Sequence, residues 1–409
     1  MELKAGYQRT EAGVIPEDWL LRPMLSAVRV ANGQVDPKVE PYQSMTLVAP
    51  DHVESGSGRL LKKVTAKDQG AISGKYFFSK GDIVYSKIRP YLKKAVVADF
   101  EGLCSADMYP LKPAINVAAG FVLATILGHR FSKYAESVSV RSGMPKINRA
   151  ELAEFVIVLP PTKAEQEAIA EALSDADALI ESLEQLLVKK RQIKQGTMQE
   201  LLTGKRRLPG FDGVWQIQTL EALAEIRSGG TPSTTRSEFW DGAVLWCTPT
   251  DITALNGAKY LSDTTRKITE LGLKSSSAEI IPANSIVMTS RATIGECAIN
   301  QVEVSTNQGF KNFVPFENVD VEFLYYLLST QKAGFVSLCG GSTFLEIGKT
   351  QLRIYQVLMP PTKEEQTAIA TILSDMDADI AALQAKLAKA RHIKQGMMQQ
   401  LLTGQIRLV

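Results

Sequence analysis

Cysteine is scarce and scattered in this chain of 409 residues. Cys104, Cys247, Cys297 and Cys339 form no CxxC pair, which excludes the usual spacings of a zinc site and of a disulfide framework. Three histidines, His52, His129 and His392, are too few and too far apart for a His-rich metal site, so no metal ligand is expected. Long hydrophobic runs are also missing. The longest apolar stretch, around Val117 to Leu127, is too short to span a bilayer. The first residues, MELKAGYQRTEAGVIPEDW, lack the apolar segment of a signal peptide, so a cytoplasmic protein is expected. No sign of charge dominates: the net charge is +2, and the chain as a whole is not a polycation. Basic residues do cluster locally. Between Leu186 and Arg207, Lys189, Lys190, Arg191, Lys194, Lys205, Arg206 and Arg207 stand against one acid, Glu200. Such a run suits a solvated helix face, phosphates or an acidic partner.

What is present is a line written twice. PPTKAEQEAIA begins at Pro160 and PPTKEEQTAIA at Pro360. Pro160–Leu208 aligns with Pro360–Leu408 without gaps, and 31 of the 49 positions are identical. Similarity continues weakly upstream, and Trp19…Gly33 recurs as Trp215…Gly229. The chain is therefore two halves, each a variable block followed by a nearly invariant tail. The divisions expected are 1–158, 159–205, 206–358 and 359–409.

Each tail reads as one long helix. Thr162 and Glu165, like Thr362 and Glu365, have the spacing of a capping box after a Pro-Pro that keeps the entry extended. Ile169, Leu173, Ala176, Ile180, Leu183 and Leu187 follow alternating steps of four and three, as do Ile369, Leu373, Met376, Ile380, Leu383 and Leu387. That is a coiled-coil seam, best satisfied by the two helices packing antiparallel. Gly204 and Gly404 suit helix ends. Gly196 and Gly396, inside the helices, predict a close helix–helix approach or a bend, because alanine would be better there by about 1 kcal/mol.

The variable blocks mix short β-type runs with turns and a late helix. GDIVYSKIRPYLKKAVVAD and ANSIVMTSRATIGECAINQ both place a Ser-basic pair, Ser86-Lys87 and Ser290-Arg291, after an apolar strand. Hydroxyl, amide and basic groups at strand ends suit phosphates and base edges. No active site is visible. GSTFLEIGKT, Gly341–Thr350, imitates a phosphate loop, but the pattern requires glycine at 343, where Thr343 stands. VLPP and VLMPP share only their prolines with the tetrapeptide of amino-methylating enzymes.

Two variable blocks alternating with near-identical helices that contain PPxxEQxAI and IKQGxMQxLLTG, and a second block opening RSGGTPSTTRSEFWDGAVLWCTPTDI, make the whole chain resemble the specificity subunit of type I restriction–modification systems, often called HsdS. The resemblance implies an α+β protein: two globular mixed α/β target recognition domains separated by two long antiparallel helices, a coiled coil, in an internal pseudo-two-fold duplication. It implies a non-catalytic subunit with no cofactor of its own. Double-stranded DNA is the ligand, read as one half of a bipartite asymmetric site by each domain. Two methyltransferase subunits carry the S-adenosylmethionine chemistry, and restriction/translocase subunits join them. The candidate DNA-reading residues are Ser86, Lys87, Arg89, Lys93, Lys94 and Ser105 in the first block. In the second they are Thr248, Thr250, Ser290, Arg291, Thr306, Asn307, Gln308 and Lys311. The seam residues Ile169, Leu173, Ile180, Leu183, Leu187, Ile369, Leu373, Ile380, Leu383 and Leu387 mark the spacer and partner-docking helices. The first block's RVANGQVDPKVEPYQ departs from the SGGTPS signature of the second. The residues taken alone also fit a coiled-coil scaffold that binds only proteins.

Overall fold

The structure, a computed structural model, describes residues 5–140, 143–339 and 345–408. The duplicated tails form two helices of 39 residues, Lys163–Leu201 and Lys363–Leu401. Each begins just after Pro-Pro, where the residue preceding a proline is kept out of the helical region. The Thr162 hydroxyl accepts from the Glu165 amide at 3.2 Å, and Thr362 from Glu365 at 3.3 Å, so the hydroxyl half of each expected capping box is made. The carboxylates turn elsewhere. Glu165 and Glu365, each 1% exposed, accept paired hydrogen bonds from Arg407 and Arg207 respectively. Gly204 and Gly404 close the helices at φ +67°.

By compactness the chain forms two units, Met1–Leu186 with Leu383–Val409, and Leu187–Ala382. Each unit owns one globular body, the start of the helix that follows it and the end of the other helix. In the first unit an antiparallel sheet runs in the order Val28–Val30, Met108–Pro113, Ile83–Ser86, Ala95–Val97. Its strand Ile83–Ser86 is buried throughout. Ile83 and Tyr85 enter the main core, and Val84 enters a second cluster with Phe78 and Val48, as a period of two requires. The apolar stretch near Val117 becomes the helix Ala119–Leu127, whose Phe121 and Val122 are fully buried. Phe131 packs edge-on to Tyr85 at 5.6 Å and to Phe155 at 4.9 Å.

The second unit repeats this plan. Its sheet runs Ala224–Ser228, Phe310–Pro315, Ser285–Thr289, Cys297–Asn300, Tyr260–Leu261, with the last pair parallel. Ile286 and Met288 face the main core, and Val287 faces the second cluster. In each unit a strand pair, Leu20–Pro23 with Val156–Leu159 or Gln216–Thr219 with Gln356–Met359, leads into the helix.

The heptad seam is divided rather than continuous. Ile169 and Leu173 lie in the core of the first body beside Leu401, and Ile369 and Leu373 in the core of the second beside Leu201. Leu183, Leu187 and Leu387 are buried farther along, whereas Ile180, Ile380 and Leu383 are half-buried. Within each unit the helix segments run antiparallel. Asp177 pairs with Lys394 and Glu184 with Arg391 in the first, and Asp379 with Lys190 and Asp377 with Lys194 in the second. The basic run after Leu186 thus meets acids of this same chain: Lys190, Lys194 and Arg207 pair with the C-terminal helix, and Arg206 with Glu200. The close approach expected at Gly196 and Gly396 is not formed. A Cβ at either would meet no atom within 4 Å, and both positions are exposed.

Candidate nucleic-acid interface

In each unit the same few backbone bonds draw three loops together at the end of the central strand. In the first unit, Lys87 N donates to Asp107 O at 3.0 Å, Ser105 N to Val48 O at 2.9 Å, and Ile147 N to Lys87 O at 2.9 Å. The turn 87–94 therefore meets the turn 105–107, the residues after Val48 and the segment around Lys146. In the second unit, Ser290 N donates to Gly309 O at 2.7 Å, Asn307 N to Cys247 O at 3.1 Å, and Ile347 N to Ser290 O at 3.1 Å. Lys87 and Ser290 are thus equivalent, and the Ser-basic pairs recognised in sequence stand one residue out of step.

The first unit's cluster is cationic. Arg89 and Lys93 flank the short turn Pro90–Leu92 and both adopt left-handed backbone, φ 47° and 48°, which side chains with a Cβ rarely take. Arg89 is exposed, as are Lys146 and the ring of Tyr91. Lys87 Nζ lies 5.1 Å over the Tyr109 ring, and Lys94 Nζ donates to Pro50 O at 2.7 Å. Ser86 is buried with its hydroxyl on Ile88 O, and the Ser105 hydroxyl accepts from Asp107 N. These two serines shape the turns that carry the cations.

The second unit's cluster is richer in neutral polar groups. Thr248 caps the short helix Pro249–Ala254, its amide and hydroxyl both donating to Asp251 Oδ2. Burial alone would raise the Asp251 carboxyl, but hydrogen bonds from Thr265 and Thr248 outweigh it and hold the pKa below its ordinary value. Thr250 and Gln308 are exposed, and Asn307 is half-buried with its Oδ1 accepting from Gly309 N. Ser290 and Thr306 are fully buried, the latter accepting from Asn312 Nδ2 at 2.8 Å. Lys311 is 6% exposed, with Nζ 3.5 Å from Ser290 Oγ and 3.8 Å from Glu346. Burial pushes its ammonium pKa down while Glu346 pulls the other way. Arg291 is exposed and pairs with Glu346 at 2.8 Å.

Sequence reasoning singled out SGGTPS as a signature without placing it. The structure sets it against the cluster. A Cβ on Gly229 would lie 2.0 Å from Asn307 O, and one on Gly230 would lie 2.3 Å from Ala278 N, so only glycine fits either place. The Trp246 indole donates to Gly230 O at 3.0 Å and the Trp240 indole to Ser233 O at 3.1 Å. The Thr231 hydroxyl reaches Gln308, and Ser233, Thr234, Thr235 and Arg236 follow it on the surface. Lys146, beside the first unit's turn, was not singled out in the sequence either.

Among the described residues no group of three or more His, Cys, Asp or Glu is placed to hold a metal ion. No helix of those residues is long and apolar enough to cross a membrane. A cavity of about 550 Å³ in the first unit is lined by Glu54, Arg59, Asp177, Glu184, Arg391 and Lys394, among others, and its acids and bases pair with one another. Of the phosphate-loop imitation Gly341–Thr350, the first four residues lie outside the described residues, and Lys349 starts a short helix, Lys349–Arg353.

Comparison with known proteins is consistent along the chain. The family profile described as type I restriction modification DNA specificity domain matches residues 29–191 and 213–391. The type I restriction enzyme MjaIX specificity subunit of Methanocaldococcus jannaschii is 40% identical over 166 residues, 40% of this chain and 38% of that protein. The EcoDI specificity subunit of Escherichia coli is 29% identical over 202 residues, 49% of this chain and 45% of that protein. These two matches thus span less than half of either relative. The putative MjaX specificity subunit of M. jannaschii is 25% identical over 430 residues, 98% of this chain and 97% of that protein. Two solved structures share the fold. The S subunit from M. genitalium has a TM-score of 0.60 at 16% identity, covering 98% of each chain. The HsdS subunit from Thermoanaerobacter tengcongensis has a TM-score of 0.51 at 19% identity, covering 96% of this chain and 98% of that one.

Proposed function

The chain belongs to the type I restriction–modification DNA specificity family, and we propose that it is the non-catalytic subunit that reads a bipartite, asymmetric DNA site, one half with each unit. The observation that carries this reading is one loop cluster built twice by the same backbone bonds and dressed with different side chains. A shared frame with unlike surfaces suits two unlike sets of base edges. Lys87, Arg89 and Lys93 supply charge for phosphates in the first unit. Thr250, Asn307, Gln308 and Arg291 supply hydrogen-bonding groups in the second, with buried Ser86, Ser290, Thr306 and Lys311 supporting the surface from below.

The helices fill the second role. Each 39-residue helix is roughly 58 Å long at 1.5 Å per residue. That length suits half-sites about one helical turn apart, roughly 34 Å. Arg191, Ile193, Gln195, Gly196 and Gln199 are exposed, and so are their identical counterparts Arg391, Ile393, Gln395, Gly396 and Gln399. Two identical faces suit two copies of one partner, the methyltransferase subunit. That partner binds S-adenosylmethionine and performs the transfer, and this chain needs no cofactor of its own. Translocating endonuclease subunits complete a restriction-competent assembly, which works in the cytoplasm.

Co-expression with the cognate methyltransferase subunit, followed by methylome sequencing, tests the reading. One new bipartite motif is expected, and the absence of any new motif would overturn it. Duplex binding by the purified assembly is expected to fall steeply with salt, which a scaffold contacting only proteins would not show.

A further inference from the structure

We propose that Arg266 is a base-reading residue of the second unit, held in its reading position by Trp240 and Trp246; this rests on the DNA-reading function proposed above. Two of the four tryptophans of the chain lie in the strand Trp240–Cys247. Arg266 opens the neighbouring strand Arg266–Ile268, directly opposite Trp246. The two indoles meet edge to face, 5.0 Å apart at 82°. The guanidinium carbon sits 3.9 Å from the Trp240 ring centre and 5.2 Å from that of Trp246. Neither ring is free to turn, because each spends its N–H on the backbone of the 230–233 loop. The backbone beneath is fixed too: the Thr264 hydroxyl accepts from Trp246 N at 3.2 Å and donates to Arg266 O at 2.7 Å.

Other arginines of this unit spend their donors on acids: Arg207 on Glu365, Arg227 on Glu225, Arg291 on Glu346 and Arg353 on Glu221. Arg266 is exposed, and among the described residues it makes no ion pair and no side-chain hydrogen bond. Its planar fork is therefore oriented by stacking while its donors stay unspent. A stacked fork loses little rotamer freedom on contact, and it offers donors only. Two acceptors side by side on one base edge answer that geometry, which in the major groove means N7 and O6 of guanine. The fork also belongs to the loop cluster: Trp246 holds Gly230, Gly230 N donates to Thr306 O at 2.9 Å, and Thr231 reaches Gln308.

In the first unit Val64–Ala66 pairs with Met45–Leu47 in the corresponding place, but Val64 stands opposite Leu47 where Arg266 stands opposite Trp246, so no stacked guanidinium is formed there. Arg266 should therefore act on one half-site alone.

The test uses the full chain co-purified with its methyltransferase partner and a random-sequence duplex pool, from which the wild type selects its consensus. R266A and R266K are expected to lose a G·C preference in one half and keep the other half intact. Their affinity for the wild-type consensus duplex should drop roughly ten- to a hundredfold, with the melting temperature of the protein unchanged. W240F, which keeps an aromatic face but not the indole N–H, should weaken the same position less. If the wild type selects no consensus, the DNA-reading function fails. If the wild type selects one and R266A selects the same consensus with equal affinity, the Arg266 assignment alone falls. An equal loss on every duplex, with a salt slope lower by about one, would make Arg266 a phosphate contact and overturn base reading.

Discussion

Asp251 is where a single proton bears on the second unit's surface. Its two oxygens receive Thr248 and Thr265, so the ionised form is stabilised more by those bonds than it is penalised by burial. A folded pKa below the unfolded value, about 3.9, means that this stabilisation is present above pH 4 and fades as pH falls through the folded pKa. D251N should therefore lower stability in urea melts at pH 7, by about 2 kcal/mol, and the gap from wild type should close as pH drops below about 4. A constant gap would show that the charge is not what the threonines hold. Glu346 is the opposite case, an acid that holds two cations: Arg291 at 2.8 Å and Lys311 at 3.8 Å. E346Q should raise affinity for a non-cognate duplex and steepen its salt dependence, measured by fluorescence anisotropy across a salt series, because freed cations turn to phosphates. Residue types at strand ends made the two clusters legible, but not which members are exposed. Ser290 and Thr306 look like readers in sequence. Both are fully buried, with Asn312 and Lys311 as their partners across the sheet, which no local pattern shows.

At the scale of the element, the helices were the most legible part of the chain, because period, Pro-Pro entry and closing glycine are local signals. What escaped was the destination of their polar ends. Glu165 has the capping-box spacing, yet its carboxylate goes to Arg407, 242 residues away, a partner that no local rule can name. Of the close approach or bend expected at the interior glycines, the close approach is absent, and its absence is illegible for a similar reason, since a glycine at helical spacing looks the same whether it faces a neighbour or open space. Open space makes G196A and G396A informative. Each should stabilise the isolated chain by up to about 1 kcal/mol, because nothing within 4 Å opposes a methyl group. Each should also weaken assembly with the methyltransferase subunit if that partner approaches the helix backbone there. Calorimetry of the free chain and sedimentation of the mixture separate the two effects. A raised melting temperature with undiminished assembly would remove the glycines from the docking face.

For the whole molecule, the duplication was plain in the sequence, but the sharing of helices between units was not. Leu201 and Leu401 stand in the same context, LLTG, so nothing local says that Leu401 enters the core of the first body and Leu201 that of the second. Near-identity, the strongest signal of common ancestry, erases the signal of who packs on whom. This sharing also sets the conditions for testing helix length as the spacer. A heptad inserted into the central helix alone would carry Lys190 and Lys194 out of register with Asp379 and Asp377, and should lower stability without a clean change of spacing. A heptad within Ile180–Lys190 matched by one within Ile380–Ala390 keeps both the seam and the antiparallel ion pairs in phase. It adds about 10 Å to each helix, close to the rise of three base pairs at about 3.4 Å each. The doubly extended chain, co-expressed with its methyltransferase partner, should methylate a motif with both halves unchanged and a gap about three base pairs longer. An unchanged gap in a stable, active assembly would mean that the distance between half-sites is set by something other than the helices.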